Sequence, residues 1–108
     1  MITYDDFAKL DIRIGTIRSV EKVPDTDKLL KFSVDFGELG DRTIVSGIAD
    51  RVGDIESLIG KQFPFIVNLE PRVLRGIESQ GMILAVGGEA VFALLSPHKE
   101  VPPGSIVR

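Results

Sequence analysis

Leu30-Lys31-Phe32-Ser33-Val34-Asp35-Phe36 alternates strictly between two kinds of side chain. Leu30, Phe32, Val34 and Phe36 share one face, and Lys31, Ser33 and Asp35 share the other, which is the pattern of a half-buried β-strand. The stretch Gly37–Asp41 carries turn chemistry, and Arg42–Ile48 resumes as a third strand. Upstream, Ile12 and Ile14 alternate with Arg13, but Ile17 is apolar at an odd position. The change of parity at Gly15-Thr16 predicts a bulge or bend, the device that curls a strand round a small barrel. This first strand ends before Val23-Pro24-Asp25-Thr26-Asp27, a turn sequence.

Downstream, Asp54–Ile59 between Gly53 and Gly60 predicts a short helix with Ile55, Leu58 and Ile59 apolar. Phe63–Leu69 reads as a fourth strand and Gly81–Val86 as a fifth. Gly87-Gly88 predicts a tight turn into Ala90–Leu95. The tail, with Pro97, Pro102-Pro103 and Gly104, is irregular and ends in a possible strand at Ser105–Val107. At the other end, Thr3 and Asp6 have the spacing of a capping box, so a short helix follows with Phe7 and Leu10 as its expected buried face. The sum is an all-β chain: a five-stranded OB-fold barrel with a short N-terminal helix, a short helix between strands three and four, and a C-terminal strand extension. Another small barrel or an antiparallel sandwich fits the same pattern.

The chain has 108 residues, enough for one domain spanning 1–108 that buries a core without staples. It has no cysteine, which removes disulfides, thiolate metal sites and thiol nucleophiles. Its first residues lack the basic start and apolar core of a signal peptide, and no apolar run approaches a membrane span. A cytoplasmic setting, with no membrane partner, is the expectation. His98 is the only histidine, no phosphate-cradling glycine loop occurs, and no nucleophile elbow surrounds Ser46. The expectation is therefore a non-catalytic module without cofactor or metal.

Net charge is −3, the wrong sign for a protein that coats any polyanion. The imbalance is local: residues 1–41 hold nine acidic and six basic side chains, and residues 42–86 hold five of each. An oriented site of a few cations fits this distribution better. The place for it is Asn68–Met82, NLEPRVLRGIESQGM, a long polar interruption between two apolar runs. Loops longer than a turn requires, on a rigid scaffold, carry function. Arg72 and Arg75 offer guanidinium forks that match phosphate oxygens. Ser79 and Gln80 can hydrogen-bond a backbone or a 2′-hydroxyl. Met82 offers a soft contact surface, or fills the core. Asn68 contacts ligand or satisfies the barrel backbone. On the barrel face, Lys28, Lys31 and Ser33 project away from the core set, and Arg42 and Ser46 on strand three are expected to join them. Each of these has the plain alternative of a solvated surface residue. Phe32, Phe36, Phe63 and Phe65 sit at alternating apolar positions, as core rather than as stacking platforms, which favours a folded RNA over a single strand.

Six ordered blocks carry a family resemblance across the chain: LDIRIGTI at Leu10–Ile17, PDTDKL at Pro24–Leu29, VDFG at Val34–Gly37, RTIVSGI at Arg42–Ile48, NLEPRVLRGIESQGMIL at Asn68–Leu84 and VPPG at Val101–Gly104. Together they resemble the tRNA-binding domain family, found at the C-terminus of methionyl-tRNA synthetases, in synthetase-complex proteins and as free-standing tRNA-binding proteins. This chain has Val23, Glu70 and Val73 where many relatives have histidine, lysine and lysine. The resemblance implies an OB fold, a homodimer, and recognition of tRNA by outline rather than sequence. It also implies service to methionyl-tRNA synthetase as an auxiliary or beta subunit, without catalysis. Phe7, Leu10, Val91, Val101 and Val107 lie on the elements left over to build a dimer contact. The chaperone CsaA shares the fold, and its opening residues resemble Tyr4–Ile17; a peptide-binding secretion chaperone is therefore the alternative.

Overall fold

The computed structural model describes residues 1–108. Five antiparallel strands form a barrel: β1 (Ile12–Lys22), β2 (Leu30–Asp35), β3 (Asp41–Ser46), β4 (Gln62–Ile66) and β7 (Met82–Ile83), in the order β3-β2-β1-β4-β7. Between β4 and β7 the chain makes a small hairpin, β5 (Arg72–Leu74) and β6 (Ile77–Ser79). A second hairpin follows, β8 (Ala85–Gly87) with β9 (Phe92–Leu94), and the terminal β10 (Ile106–Val107) adds to β1. The architecture is mostly β, as expected, with one short helix, α1 (Tyr4–Ala8). No helix is long and apolar enough to cross a membrane.

The alternating face of β2 is the centre of the core. Leu30, Phe32, Val34 and Phe36 have no exposed surface and pack with Ile17, Ile44, Phe63, Phe65, Val67 and Ile83. The Phe36 and Phe65 rings meet edge to face with centroids 5.3 Å apart, a favoured aromatic geometry. The four aromatics expected in the core are all buried.

Strand β1 serves two barrel partners as well as β10. Ile12–Thr16 pair with β4, and Thr16–Lys22 pair with β2. The expected slip at Gly15-Thr16 is corrected: the pairing with β4 runs evenly through Gly15, and the register shifts between Ile17 and Ser19, leaving Arg18 as the bulged residue. Ile12 stands opposite Ile66, and both are buried outside the main core cluster. The sequence therefore shows two buried faces on one strand, which looks like a change of parity. Gly15 is needed for a different reason. A Cβ there would overlap Val34 Cγ1 and stand 2.7 Å from the Phe36 ring.

Three other expectations change in detail. Asp54–Ile59 forms a 3-10 turn over Ile55–Leu58, capped by the Asp54 carboxylate, which accepts from the Glu56 amide. Gly87-Gly88 is not a two-residue turn, because Gly87 pairs with Phe92 and four residues connect the strands. Thr3 and Asp6 form the capping box, but α1 buries none of its residues, and Leu10 just beyond it is 41% exposed. A five-residue helix has too short an apolar face to sink into the nearly closed barrel. The irregular tail is held to β1 by backbone bonds from Ile14 N to Ser105 O and from Gly104 N to Ile14 O. Beside it, the Asp11 carboxylate accepts from the Arg13 guanidinium at 2.9 Å and holds that group above its ordinary pKa.

Candidate nucleic-acid interface

The register between β2 and β3 decides which side chains share the outer face. Lys31 stands opposite Val45, and Ser33 opposite Thr43. Directly opposed residues point to the same side of a sheet. Lys31, Ser33, Thr43 and Val45 therefore face outward. Arg42 and Ser46 stand opposite Val34 and Leu30, on the core side. This corrects the expectation that they join Lys31 and Ser33. Ile44 and Val45 are both apolar, so parity along β3 cannot be read without its partner strand. The Arg42 guanidinium instead donates to Val67 O at 2.6 Å, tying β3 to the end of β4.

The Asn68–Met82 stretch, expected as a loop, contains the β5–β6 hairpin. Leu74 pairs with Ile77 across a two-residue turn, Arg75-Gly76, with φ of 51° and 81°. Both values lie in the left-handed region of a hairpin turn. Arg72 is on the strand and Arg75 at the tip. Both are exposed, and neither is in an ion pair.

The hairpin leans over the edge of β3 through a compact set of bonds. Ser79 Oγ accepts from the Val45 amide at 2.9 Å and donates to Gly81 O at 3.1 Å. Gln80 N donates to Thr43 O, and Thr43 N donates to the Gln80 side chain. Ser79 is 5% exposed. Its hydroxyl is committed to the backbone, a different employment from the expected RNA contact. Asn68 is committed likewise: it accepts from Asp11 N at 2.9 Å and donates to Lys9 O at 2.7 Å, fastening the chain after α1.

What remains is a groove and its flank. Val45, Leu69, Leu74 and Met82 form an apolar floor, Arg72 and Glu70 are its charged walls, and its volume is about 440 Å³. A second concavity joins Arg75 to Lys28 on the β1–β2 loop, alongside Asp25 and Asp27. That loop is strapped by Thr26 Oγ1 donating to Val23 O and by Ala49 N donating to Lys28 O. Lys31, next to Val45 on the sheet, pairs with Glu21 at 3.6 Å. An exposed pair of this kind is worth about 0–1 kcal/mol and exchanges readily for a better anion. The structure thus brings Arg72 and Met82 together beside Val45, the cross-strand neighbour of Lys31, and Lys28 together with Arg75 in a separate concavity; Ser33 lines neither. The groove residues Val45, Leu69, Glu70 and Leu74 were not singled out as ligand contacts from sequence. Their signal was faint: Leu69 and Leu74 are scattered among the polar and glycine residues of Asn68–Met82, and Val45 is adjacent to the core residue Ile44.

Phe7, Leu10 and Val107 line one shallow apolar groove with Tyr4 and Ile106. Val101 lies elsewhere, its backbone held by Gln62. Val91 is in the β8–β9 connection, where its carbonyl and that of Gly88 accept from Arg51.

The model of the tRNA binding domain family matches residues 12–106. The chain belongs to the tRNA-binding domain family. It is 55% identical, over 99% of its length, to a methionine–tRNA ligase of Porphyromonas gingivalis, and it spans 16% of that relative. The crystal structure of a MetRS-related protein from Pyrococcus horikoshii superposes with a TM-score of 0.92 at 41% identity, covering 100% of this chain and 98% of that one. The chaperone CsaA from Bacillus anthracis superposes at 0.89 with 35% identity, covering 100% and 99%. This tRNA-binding domain is thus homologous to a terminal portion of the ligase, and its family is one of binding rather than catalysis.

Proposed function

We propose that this tRNA-binding domain grips folded tRNA through its sugar–phosphate outline, as a homodimer and as an auxiliary module or beta subunit of methionyl-tRNA synthetase. It works in the cytoplasm and performs no catalysis itself. One observation carries the reading: Arg72 and Arg75 hold guanidinium groups in no ion pair, Arg72 in the groove beside Val45 of β3 and Arg75 in the concavity it shares with Lys28. Guanidinium groups free of internal carboxylates are available to phosphate. The acidic remainder of the surface discourages indiscriminate polyanion binding, which is the property a shape-selective binder needs.

Few contacts on one barrel make a weak grip on a molecule as large as tRNA. A second copy, related by a two-fold axis, links two grips and raises the apparent affinity. The exposed apolar set of Tyr4, Leu10 and Ile106 favours a contact through α1 and β10.

A second reading has its own support. The likeness to CsaA and the apolar floor of the groove favour a chaperone that holds an extended peptide. Titration of fluorescent bulk tRNA and of a fluorescent unfolded peptide, each at two salt concentrations, separates them. The tRNA reading expects tRNA to bind and to weaken steeply with salt, while the peptide binds poorly. A tight, salt-insensitive peptide complex with no tRNA complex would reverse the assignment.

A further inference from the structure

Phosphate contacts explain Arg72 and Arg75, but not the apolar residues that line the groove with Arg72. Nor do they explain Glu70, a carboxylate on the wall of a groove meant for an anion. Glu70 is exposed and forms no ion pair, although Arg72 lines the same groove. A backbone-only site would be better served by leaving the wall neutral or cationic.

We infer that the groove takes one unstacked guanine base of the bound RNA, with Glu70 reading its Watson–Crick edge. The inference rests on the RNA reading of this surface. Leu69, Leu74 and Met82 give the apolar contact a base face needs, and a thioether is well suited to it. A volume of about 440 Å³ lies within the ~300–1,000 Å³ typical of small-ligand clefts, so it has room for a single base. The edge chemistry then selects among bases. An ionised carboxylate only accepts hydrogen bonds. Guanine presents two adjacent donors, N1–H and the exocyclic amine, which match its two oxygens. Adenine and cytosine each present one donor beside an acceptor, which would face a carboxylate oxygen. Uracil presents one donor flanked by two acceptors. Arg72, two residues further along the chain and lining the same groove, balances the charge and is available to the phosphate. Unpaired bases of folded RNA are recognised in this way, by their edges and their faces.

The chain has only two methionines, Met1 and Met82, so the Met82 methyl group is a specific reporter inside the groove. The experiment labels the methionine methyl groups with ¹³C and titrates the protein with GMP, IMP, AMP, CMP and UMP. GMP is expected to move the Met82 resonance and to bind roughly five- to tenfold more tightly than AMP, CMP or UMP, the discrimination of a bidentate base contact. IMP, which lacks the exocyclic amine, should bind more weakly than GMP. Glu70→Gln, an exposed substitution whose fold is checked by the amide spectrum, should bring GMP and AMP within about twofold of each other. Equal response to all nucleotides, no response to any, or a GMP preference that survives Glu70→Gln would each overturn the inference. So would a Met82 shift produced by an apolar peptide and by no nucleotide. Bulk tRNA is titrated in parallel: tRNA binding without a GMP response removes the guanine slot and leaves the tRNA reading standing, whereas a GMP response without tRNA binding does the reverse.

Discussion

Ser79 Oγ accepts a hydrogen bond from the Val45 amide at 2.9 Å, joining residues 34 apart in the chain. The bond fixes the β5–β6 hairpin to the one edge of β3 that the barrel leaves unpaired. It thereby sets where Arg72 and Leu74 stand over Val45. A polar residue that looks like a ligand contact is the anchor of the site, and the cations are what the anchor positions.

Removing that anchor should therefore affect stability before chemistry. Ser79→Ala leaves the buried Val45 amide without its acceptor. A buried donor left unsatisfied costs about 1–3 kcal/mol. Urea unfolding of the variant should show a lowered midpoint with an unchanged slope. An unchanged midpoint would mean that water or another acceptor replaces the hydroxyl, and that the hairpin is held by other contacts.

Arg72→Gln with Arg75→Asn should leave stability nearly unchanged and weaken tRNA binding. Asn is chosen at 75 because its φ of 51° is left-handed, a region Asn tolerates. If each arginine meets one phosphate, the salt dependence of log K should flatten by roughly 0.7–0.9 for each. Loss of affinity should be similar across tRNA species, because phosphates carry no sequence. Arg42→Gln provides the contrast. Its guanidinium is tied to Val67 O, so it should lower the unfolding midpoint and change the salt slope little.

What could be read in the chain follows from how local each feature is. The core face of β2 was legible because Leu30, Phe32, Val34 and Phe36 contrast with charged or polar neighbours at every step. β3 was ambiguous because Ile44 and Val45 are adjacent, and only pairing with Lys31 and Phe32 assigns their faces. Arg72 and Arg75 were visible as cations stranded between apolar runs. Their hairpin was not, because Arg75-Gly76 lacks the Asn-Gly signal and Val73 is 67% exposed, with no buried alternation around it. Ser79, Asn68 and Arg42 all find their partners at long range, and a single sequence holds no record of such pairings. Glu70 was visible only as a departure from a pattern. Its meaning depends on Leu74 and Met82 being brought beside it.

Gly15→Ala should be among the most destabilising alanine substitutions in the chain. Its methyl would overlap Val34 Cγ1 and press on the Phe36 ring, both fully buried. Val34 is β-branched and has little rotamer freedom to yield. Overpacking of this kind costs about 1–3 kcal/mol and sometimes more. Gly53→Ala, where no atom lies within 4 Å of the added carbon, should stay within about 0.5 kcal/mol of the parent. Thermal unfolding of both variants checks the pair. Equal midpoints would mean that β1 can shift away from β2 at its partner exchange.

The last test concerns the apolar groove between α1 and β10. Leu10 is 41% and Ile106 52% exposed, and Phe7 and Val107 line the same depression. If a second copy covers this face, light scattering at micromolar concentration should return twice the chain mass. Leu10→Glu with Ile106→Glu should return the chain mass itself, because like charges would oppose each other across a two-fold contact that brings each residue near its symmetry mate. Neither substitution touches the main core cluster, so the unfolding midpoint of the monomer should hold. Affinity for tRNA should then fall by about a hundredfold, the scale on which linked sites outperform single ones. A double variant that remains dimeric would move the interface elsewhere, with Val91 on the β8–β9 connection, 60% exposed, as the next surface to charge.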